Sequence, residues 1–339
     1  SLRRLIDEHD VIYIANHSFP FILLSKSLDK RVVVHLHDYQ PISPSSVILP
    51  VENGKIPSIM DAFIRSNYYY EVIQHKSRKR GILSIILSPL SKVLSSTLLF
   101  ADDIICVSKR QAEIIGSLMS SIKSKIHVIH NPLPDDVPFI KLSSSLPKFL
   151  YVGGDNMLKG ISTVVLCALR YLGYNQSVKI EITLADVIKT KLSWTRWYRS
   201  KHKWDAILAE INKKLRFRLF NPLPRLDRSE LLRLYKENLA LLYPTWMEEP
   251  LPYSILEAIL AGRVVIASRI GGIPELLSGT VGEKYLCDVN SIDSFVNKLD
   301  TVLNMDKKEL EEFGKLQRSQ ILEKFRKEDV PTKIMEVLG

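Results

Sequence analysis

The chain has little with which to build a covalent or metal-bound frame. Its 339 residues include three cysteines, Cys106, Cys167 and Cys287, odd in number and far apart in apolar runs. That usage excludes a disulfide scaffold and a Cys/His zinc site, and fits reduced structural thiols in a cytosolic compartment. No His-Glu-x-x-His pair, P-loop or Asp-x-Asp pair occurs, so zinc-protease chemistry, a Walker-type cradle and a metal-holding carboxylate pair are not expected. No apolar run approaches the roughly 20 residues that span a bilayer; the longest, 81–100, is interrupted by serines, Pro89 and Lys92. No signal peptide and no initiator methionine are visible, and the expectation is that the natural chain begins upstream of Ser1. Tandem repeats and long low-complexity tracts are also missing.

What is present is ordinary in bulk and specific in pattern. The chain is 46% hydrophobic and 25% charged, as in globular proteins, and its length suggests two domains. A formal charge of +10 favours an acidic partner: a nucleotide diphosphate, an anionic membrane surface or nucleic acid. Short β-branched runs alternate with helical patterns, the sign of a parallel α/β sheet. In the first half strands are expected at 10–16, 31–37, 103–107 and 125–130, with helices at 21–28, much of 64–99, and 109–119. The Pro-, Ser- and Asp-rich stretch 131–147 reads as a linker. It sets the domains at 1–146 and 147–325, with a tail at 326–339. The second half gives strands at 149–152, 179–184, 216–220, 239–243 and 263–268. Its helices are expected at 161–172, 229–237 with Ser229 as N-cap, from near Tyr253, 292–303 and 308–325.

Two segments carry chemistry. Residues 248–276, EEPLPYSILEAILAGRVVIASRIGGIPEL, put Glu249 on the loop leaving a buried strand and Glu257 in the first turns of the next helix. Ligands of open parallel sheets bind outside the carboxyl ends of strands, and helix N-termini attract anions. Two carboxylates flanking such a helix start can accept hydroxyl hydrogen bonds from a sugar and a ribose while backbone amides hold phosphate. In residues 151–160, YVGGDNMLKG, a strand ends in Gly153 and Gly154, and Lys159, a compact point charge suited to a diphosphate, precedes a helix.

Together these segments resemble the signature of the retaining, nucleotide-sugar-dependent glycosyltransferases of family 4, the group 1 glycosyl transferases. The resemblance implies a GT-B fold of two Rossmann-like parallel-sheet domains facing a cleft, and sugar transfer to a glycan or lipid-linked acceptor without metal or cofactor. It gives Glu249 the donor sugar, Glu257 the ribose hydroxyls, and Lys159 with the amides near Gly153 the leaving diphosphate. His37, closing the run VVVHLH, matches the family histidine on the acceptor side; His35 shares its strand face, and His17 is a further cleft candidate. Asp102–Lys109 and Ile126–Asn131 resemble two more family segments, with Ser108 and Asn131 as turn formers or helix caps. Three departures stand out. Gly154 replaces the phosphate-binding arginine, so restoring an arginine there is expected to be tolerated. Pro252 replaces a glycine in the donor loop, leaving that loop to work through the N–H groups of Tyr253 and Ser254. The first domain lacks the usual opening strand and glycine-rich loop. A sugar-nucleotide-binding protein without activity, or another GT-B enzyme such as an epimerase, therefore stays open beside the transferase.

Two basic segments bear on partners. Residues 75–87 and 189–204 combine cations with Ile, Leu or Trp, which suits peripheral association with the cytoplasmic face of an anionic membrane. A solvated helix face is the alternative for the first. Basic-aromatic clusters also suit single-stranded nucleic acid, but no nucleic-acid motif accompanies them, and no nucleic-acid partner is expected.

Overall fold

Parallel strand pairing organises both halves of the chain. The structure, a computed structural model, describes residues 2–15, 18–51, 54–143, 146–175, 179–188, 203–325 and 329–339. They form two units: Ser1–Pro132 with Met247–Leu251 and Phe325–Gly339, and Leu133–Trp246 with Pro252–Lys324.

The first unit runs α1 (Leu2–Asp7), β1 (Val11–Ala15), α2 (Pro20–Lys26), β2 (Arg31–Leu36), α3 (Ser66–His75), α4 (Arg78–Ser95), β3 (Asp103–Cys106), α5 (Lys109–Leu118) and β4 (Ile126–Val128). Its four strands pair in parallel in chain order. Alternation along β2 sends Val32, Val34 and Leu36 into one core with Ile104, Cys106 and Ile114, and turns Val33 to the opposite face.

The second unit runs β5 (Lys148–Tyr151), α6 (Ile161–Tyr174), β6 (Glu181–Leu184), α7 (Trp204–Leu215), β7 (Phe220–Pro222), α8 (Arg228–Glu237) and β8 (Ala240–Tyr243). It continues through α9 (Tyr253–Leu260), β9 (Val264–Ser268), α10 (Ile273–Leu277), β10 (Leu286–Cys287), α11 (Ile292–Leu303) and α12 (Lys307–Lys324). The sheet order is β10-β9-β8-β5-β6-β7, all parallel. Every residue of β8 and β9 is buried, as a sheet covered on both faces demands. The chain builds outward from β5 to β7, then returns to β8 on the other side of β5. The strand order therefore reverses between β5 and β8, where open α/β sheets bind ligands. The last helix, α13 (Asp329–Leu338), rejoins the first unit. Its Val337 packs with Val33 and Ile105, and Arg31 donates to the Val337 carbonyl at 2.8 Å.

Several local expectations are corrected. Helices cover much of 64–99 as expected, but in separate pieces. A π-turn at Met60–Arg65 leads into α3, which ends at Lys76 in the left-handed region (φ 53°), and extended Ser77 caps α4 by accepting from the Arg80 amide. The N-cap of α8 is Asp227, not Ser229: Asp227 and Glu230 exchange side-chain and backbone hydrogen bonds in a capping box. The strand expected at 216–220 lies at Phe220–Pro222, and Lys179 precedes β6. Arg78–Phe100 is, by length and composition, long and apolar enough to cross a membrane; its serines and Pro89 do not end the helix. Of the second basic segment, 189–202 lies outside the described residues. Trp204, at its end, is a buried core residue of the second unit.

Candidate active site

In the second unit the loops leaving β5 and β8 are stitched together. Gly153 and Gly154 are buried just beyond β5. Asn156 turns the loop by accepting, through Oδ1, from the amides of Leu158 at 2.8 Å and Lys159 at 3.3 Å. The Leu158 carbonyl accepts from the Trp246 amide at 2.7 Å and the Thr245 hydroxyl at 3.3 Å. The Trp246 indole donates to Thr163 on α6 at 2.9 Å. Gly160, the N-cap of α6, has φ 90°, and a Cβ there would lie 2.0 Å from the Pro244 carbonyl oxygen. Only glycine lets the two loops approach so closely. Lys159 is half-buried on this junction, at the point where the strand order reverses.

Glu257 lies on α9 in the same unit, its side chain 13% exposed. Its Oε1 accepts from Arg228 Nη1 at 2.6 Å, and Arg228 also grips Asp136 through Nε and Nη2. Hydrogen bonds to Asp136 and then Glu257 push the arginine's pKa up. Burial first, and the Glu257 charge second, raise the pKa of Tyr253 and of the fully buried Tyr235. The Tyr235 hydroxyl has no hydrogen-bond partner among the described residues. With one carboxylate oxygen engaged, Glu257 keeps acceptor capacity on the other. Tyr253 is exposed and Ser254 half-buried in the first turn of α9, after the N-cap Pro252. Their amides belong to the helix start, where N–H groups lack intrahelical acceptors.

Glu249 is half-buried in Met247–Leu251, which groups with the first unit. Its neighbour Glu248 is buried and tied down. Its amide donates to the Ile48 carbonyl at 2.9 Å, and its carboxylate meets Arg110 of α5 at 2.8 and 3.3 Å. Arg110 also donates to the Lys55 carbonyl at 3.0 Å. Burial works against the Arg110 charge, but Glu248 outweighs it and raises the pKa. The next residue on α5, Gln111, donates to the Asp38 carbonyl at 2.9 Å and accepts from the Val107 amide at 2.8 Å. One helix thus holds both the turn after His37 and the stretch containing Glu249.

His37 is exposed at the end of β2, and its ring centroid lies 4.2 Å from that of buried His35. Burial, then the neighbouring His37, lowers the His35 pKa to about 4, so His35 is neutral near pH 7. Partial burial also lowers the His37 pKa, with Asp38 opposing. A hydrogen bond joins His35 Nδ1 to the Tyr13 hydroxyl. Tyr13 lines a largely apolar cavity of about 400 Å³ along β1 with Leu5, Ile14 and Phe21. His17 lies outside the described residues. Ser108 caps α5 by accepting from the Gln111 amide. Among the described residues no group of three or more His, Cys, Asp or Glu converges as a metal site.

Sequence reasoning missed Glu248, Arg110, Arg228 and Asp136. The adjacent acids Glu248-Glu249 were a signal that one of the two is structural. The arginines gave none, because their partners lie 138 residues away for Arg110, and 29 and 92 residues away for Arg228.

The model of the family described as Glycosyl transferases group 1 matches residues 140–320. No curated protein sequence matches the chain. Among solved structures it is similar to a sucrose-phosphate synthase of Thermosynechococcus elongatus, at 15% identity and TM-score 0.65 over 97% of this chain and 73% of that one. It is also similar to HepE of Anabaena in complex with UDP-glucose (17%, TM-score 0.66, 99% and 80%). A UDP-forming α,α-trehalose-phosphate synthase of Burkholderia xenovorans is a third (12%, TM-score 0.71, 99% and 75%). At such identities the likeness speaks for the fold, the two-domain GT-B class.

Proposed function

The chain belongs to the group 1 glycosyl transferases, and on that premise we propose that it moves a hexose from a nucleoside-diphosphate sugar to a hydroxyl of a glycan or lipid-linked acceptor, with retention of anomeric configuration as in family 4. The observation that carries this reading is the junction of the β5 and β8 loops, where Gly160 packs against Pro244 and Lys159 stands at the reversal of strand order. Solved relatives of the fold hold UDP-glucose or form UDP, which makes a UDP-sugar the first donor to try.

In the proposed reaction Glu249 accepts hydrogen bonds from donor-sugar hydroxyls and orients the anomeric carbon. Glu257, steadied by Arg228, accepts the ribose hydroxyls. Lys159, with the amides near Gly153 and at the start of α9, stabilises the negative charge that grows on the leaving diphosphate. His37 lines the acceptor. The bond from the anomeric carbon to the diphosphate oxygen breaks as the acceptor oxygen bonds on the same face. The acceptor proton passes to the departing phosphate, so no covalent carboxylate intermediate is needed. No metal is assigned a part: the diphosphate is held by amides and Lys159.

The test is a turnover assay with UDP-, GDP- and ADP-sugars, run beside thermal shift, in which a bound ligand raises the midpoint. Turnover with one donor supports the transferase. Stabilisation without turnover across acceptor panels supports a sugar-nucleotide-binding protein instead, a reading that Gly154 in place of the arginine favours.

A further inference from the structure

We propose that α4 is an interfacial anchor that lays the first unit on an anionic membrane surface. The helix is inside out for a water-soluble protein. It buries Gly81, Ser88 and Ser95, a small-residue stripe spaced seven apart. Gly81 lets the helix lie close to α3: a Cβ there would come within 2.7 Å of the Tyr68 ring. Its serine hydroxyls turn inward to their own helix, Ser84 donating to the Gly81 carbonyl at 2.7 Å and Ser88 to that of Ile85 at 2.8 Å. The large side chains point to solvent. Ile82, Leu83, Ile86, Leu87, Leu90 and Val93 are each 51–66% exposed. Such a run over three turns of one helix is a surface that water does not favour.

The charge around this stripe names the occupant. Residues 76–100 contain five basic side chains and no acidic one. Lys76, Arg78, Lys79 and Lys92 are exposed, while Arg80 pairs with Glu71 at 2.7 Å. Cations flanking an aliphatic stripe complement anionic headgroups over acyl chains. A second copy of the same face would instead bring like charges together.

The helix lies in the interface and does not cross it. Its 18 residues extend about 27 Å, so a crossing would put its ends on opposite sides of a hydrocarbon core about 30 Å thick. Both ends are bonded to one folded unit. Ser77 donates to the Glu71 carbonyl at 3.3 Å, and Thr97 to the Phe19 carbonyl at 3.2 Å. Burial of Gly81 and Ser88 against the unit leaves one face for lipid.

Flotation of the full chain with phosphatidylglycerol–phosphatidylcholine vesicles, beside phosphatidylcholine alone, tests this. The wild type should float with the anionic vesicles, binding them at least about tenfold better than the neutral ones. The pair Ile86→Glu and Leu90→Glu should abolish flotation. Arg78→Glu with Lys79→Glu, or salt near about 0.5 M, should weaken it about tenfold. Wild-type protein that never floats overturns the proposal, as does flotation unchanged in both variants. A concentration-dependent dimer in light scattering that Leu90→Glu dissolves would assign the face to a second copy and overturn it too.

Discussion

Arg110 grips Glu248 at two points, Nη2 to Oε1 at 2.8 Å and Nε to Oε2 at 3.3 Å, and the residue that follows in the chain is Glu249. The carboxylate side chain is 3% exposed and the guanidinium 16%. Arg110→Ala leaves this carboxylate buried without its cation, and urea unfolding should show a loss of about 3–5 kcal/mol. Turnover should fall with it, since Glu249 sits on the freed stretch. Arg110→Lys keeps the charge but loses the two-point grip, and should fall between. An Arg110→Ala variant as stable and active as wild type would mean that the pair positions nothing.

Glu249 and Glu257 should separate chemistry from binding. Glu249→Gln is expected to abolish transfer while calorimetry still shows nucleoside-diphosphate binding. Glu257→Ala should weaken that binding by about 1.5–3 kcal/mol, the scale of a hydrogen bond to a charged group. Arg228→Ala should reproduce part of that loss by freeing the Glu257 carboxylate. Equal effects of the two glutamates on binding would reject the division of roles.

Gly160→Ala should destabilise the protein by at least about 1–3 kcal/mol, because the backbone is left-handed and the Pro244 carbonyl occupies the Cβ position. Gly154→Arg, tolerable on the sequence reading if the strand-end geometry is the family's, meets a left-handed backbone here. Gly154 has φ 63°, and a Cβ would lie 3.3 Å from the Asp186 carbonyl oxygen, so the arginine should lower the thermal midpoint. An unchanged midpoint for either variant would contradict the strand-end geometry.

The contrast between Gly154 and the segment around Glu257 shows what a sequence can convey. The runs of β8 and β9 were legible because a parallel strand covered on both faces is apolar throughout. The helix from Tyr253 followed from the proline before it. The backbone angle at Gly154 was not legible, since glycine permits a left-handed φ without announcing it. The short β10 and α10 are too brief for a periodicity to register. Asp227 and Ser229 are both good caps, and only the reciprocal bond from Glu230 decides between them. The serines of α4 read as interruptions of an apolar run, whereas Ser88 and Ser95 lie with Gly81 on its buried face.

His35 gives a pH signature. Its folded pKa, about 4, is depressed below the ordinary 6.5 by burial and by His37. The unfolded chain therefore takes up a proton that the native state refuses as pH falls. The neutral histidine carries no penalty above pH 6.5. Stability is lost between pH 6.5 and about 4, by about 3 kcal/mol in full. Unfolding free energies of wild type and His35→Gln at pH 7 and pH 5 test this. Wild type should lose more than the variant, and parallel losses would show that His35 titrates normally.

The most direct test of the account is Lys159→Ala, assayed by steady-state kinetics beside calorimetric binding of free UDP. With Gly154 where the family has an arginine, Lys159 is the one basic residue in 153–160, and the proposed reaction relies on it to meet the diphosphate. Its loss should lower kcat about 100-fold or more, as removal of one strong transition-state donor does, and should weaken UDP binding. If kcat and UDP affinity both stay at wild-type values, the diphosphate does not bind at the end of β5, and the proposed reaction loses its site.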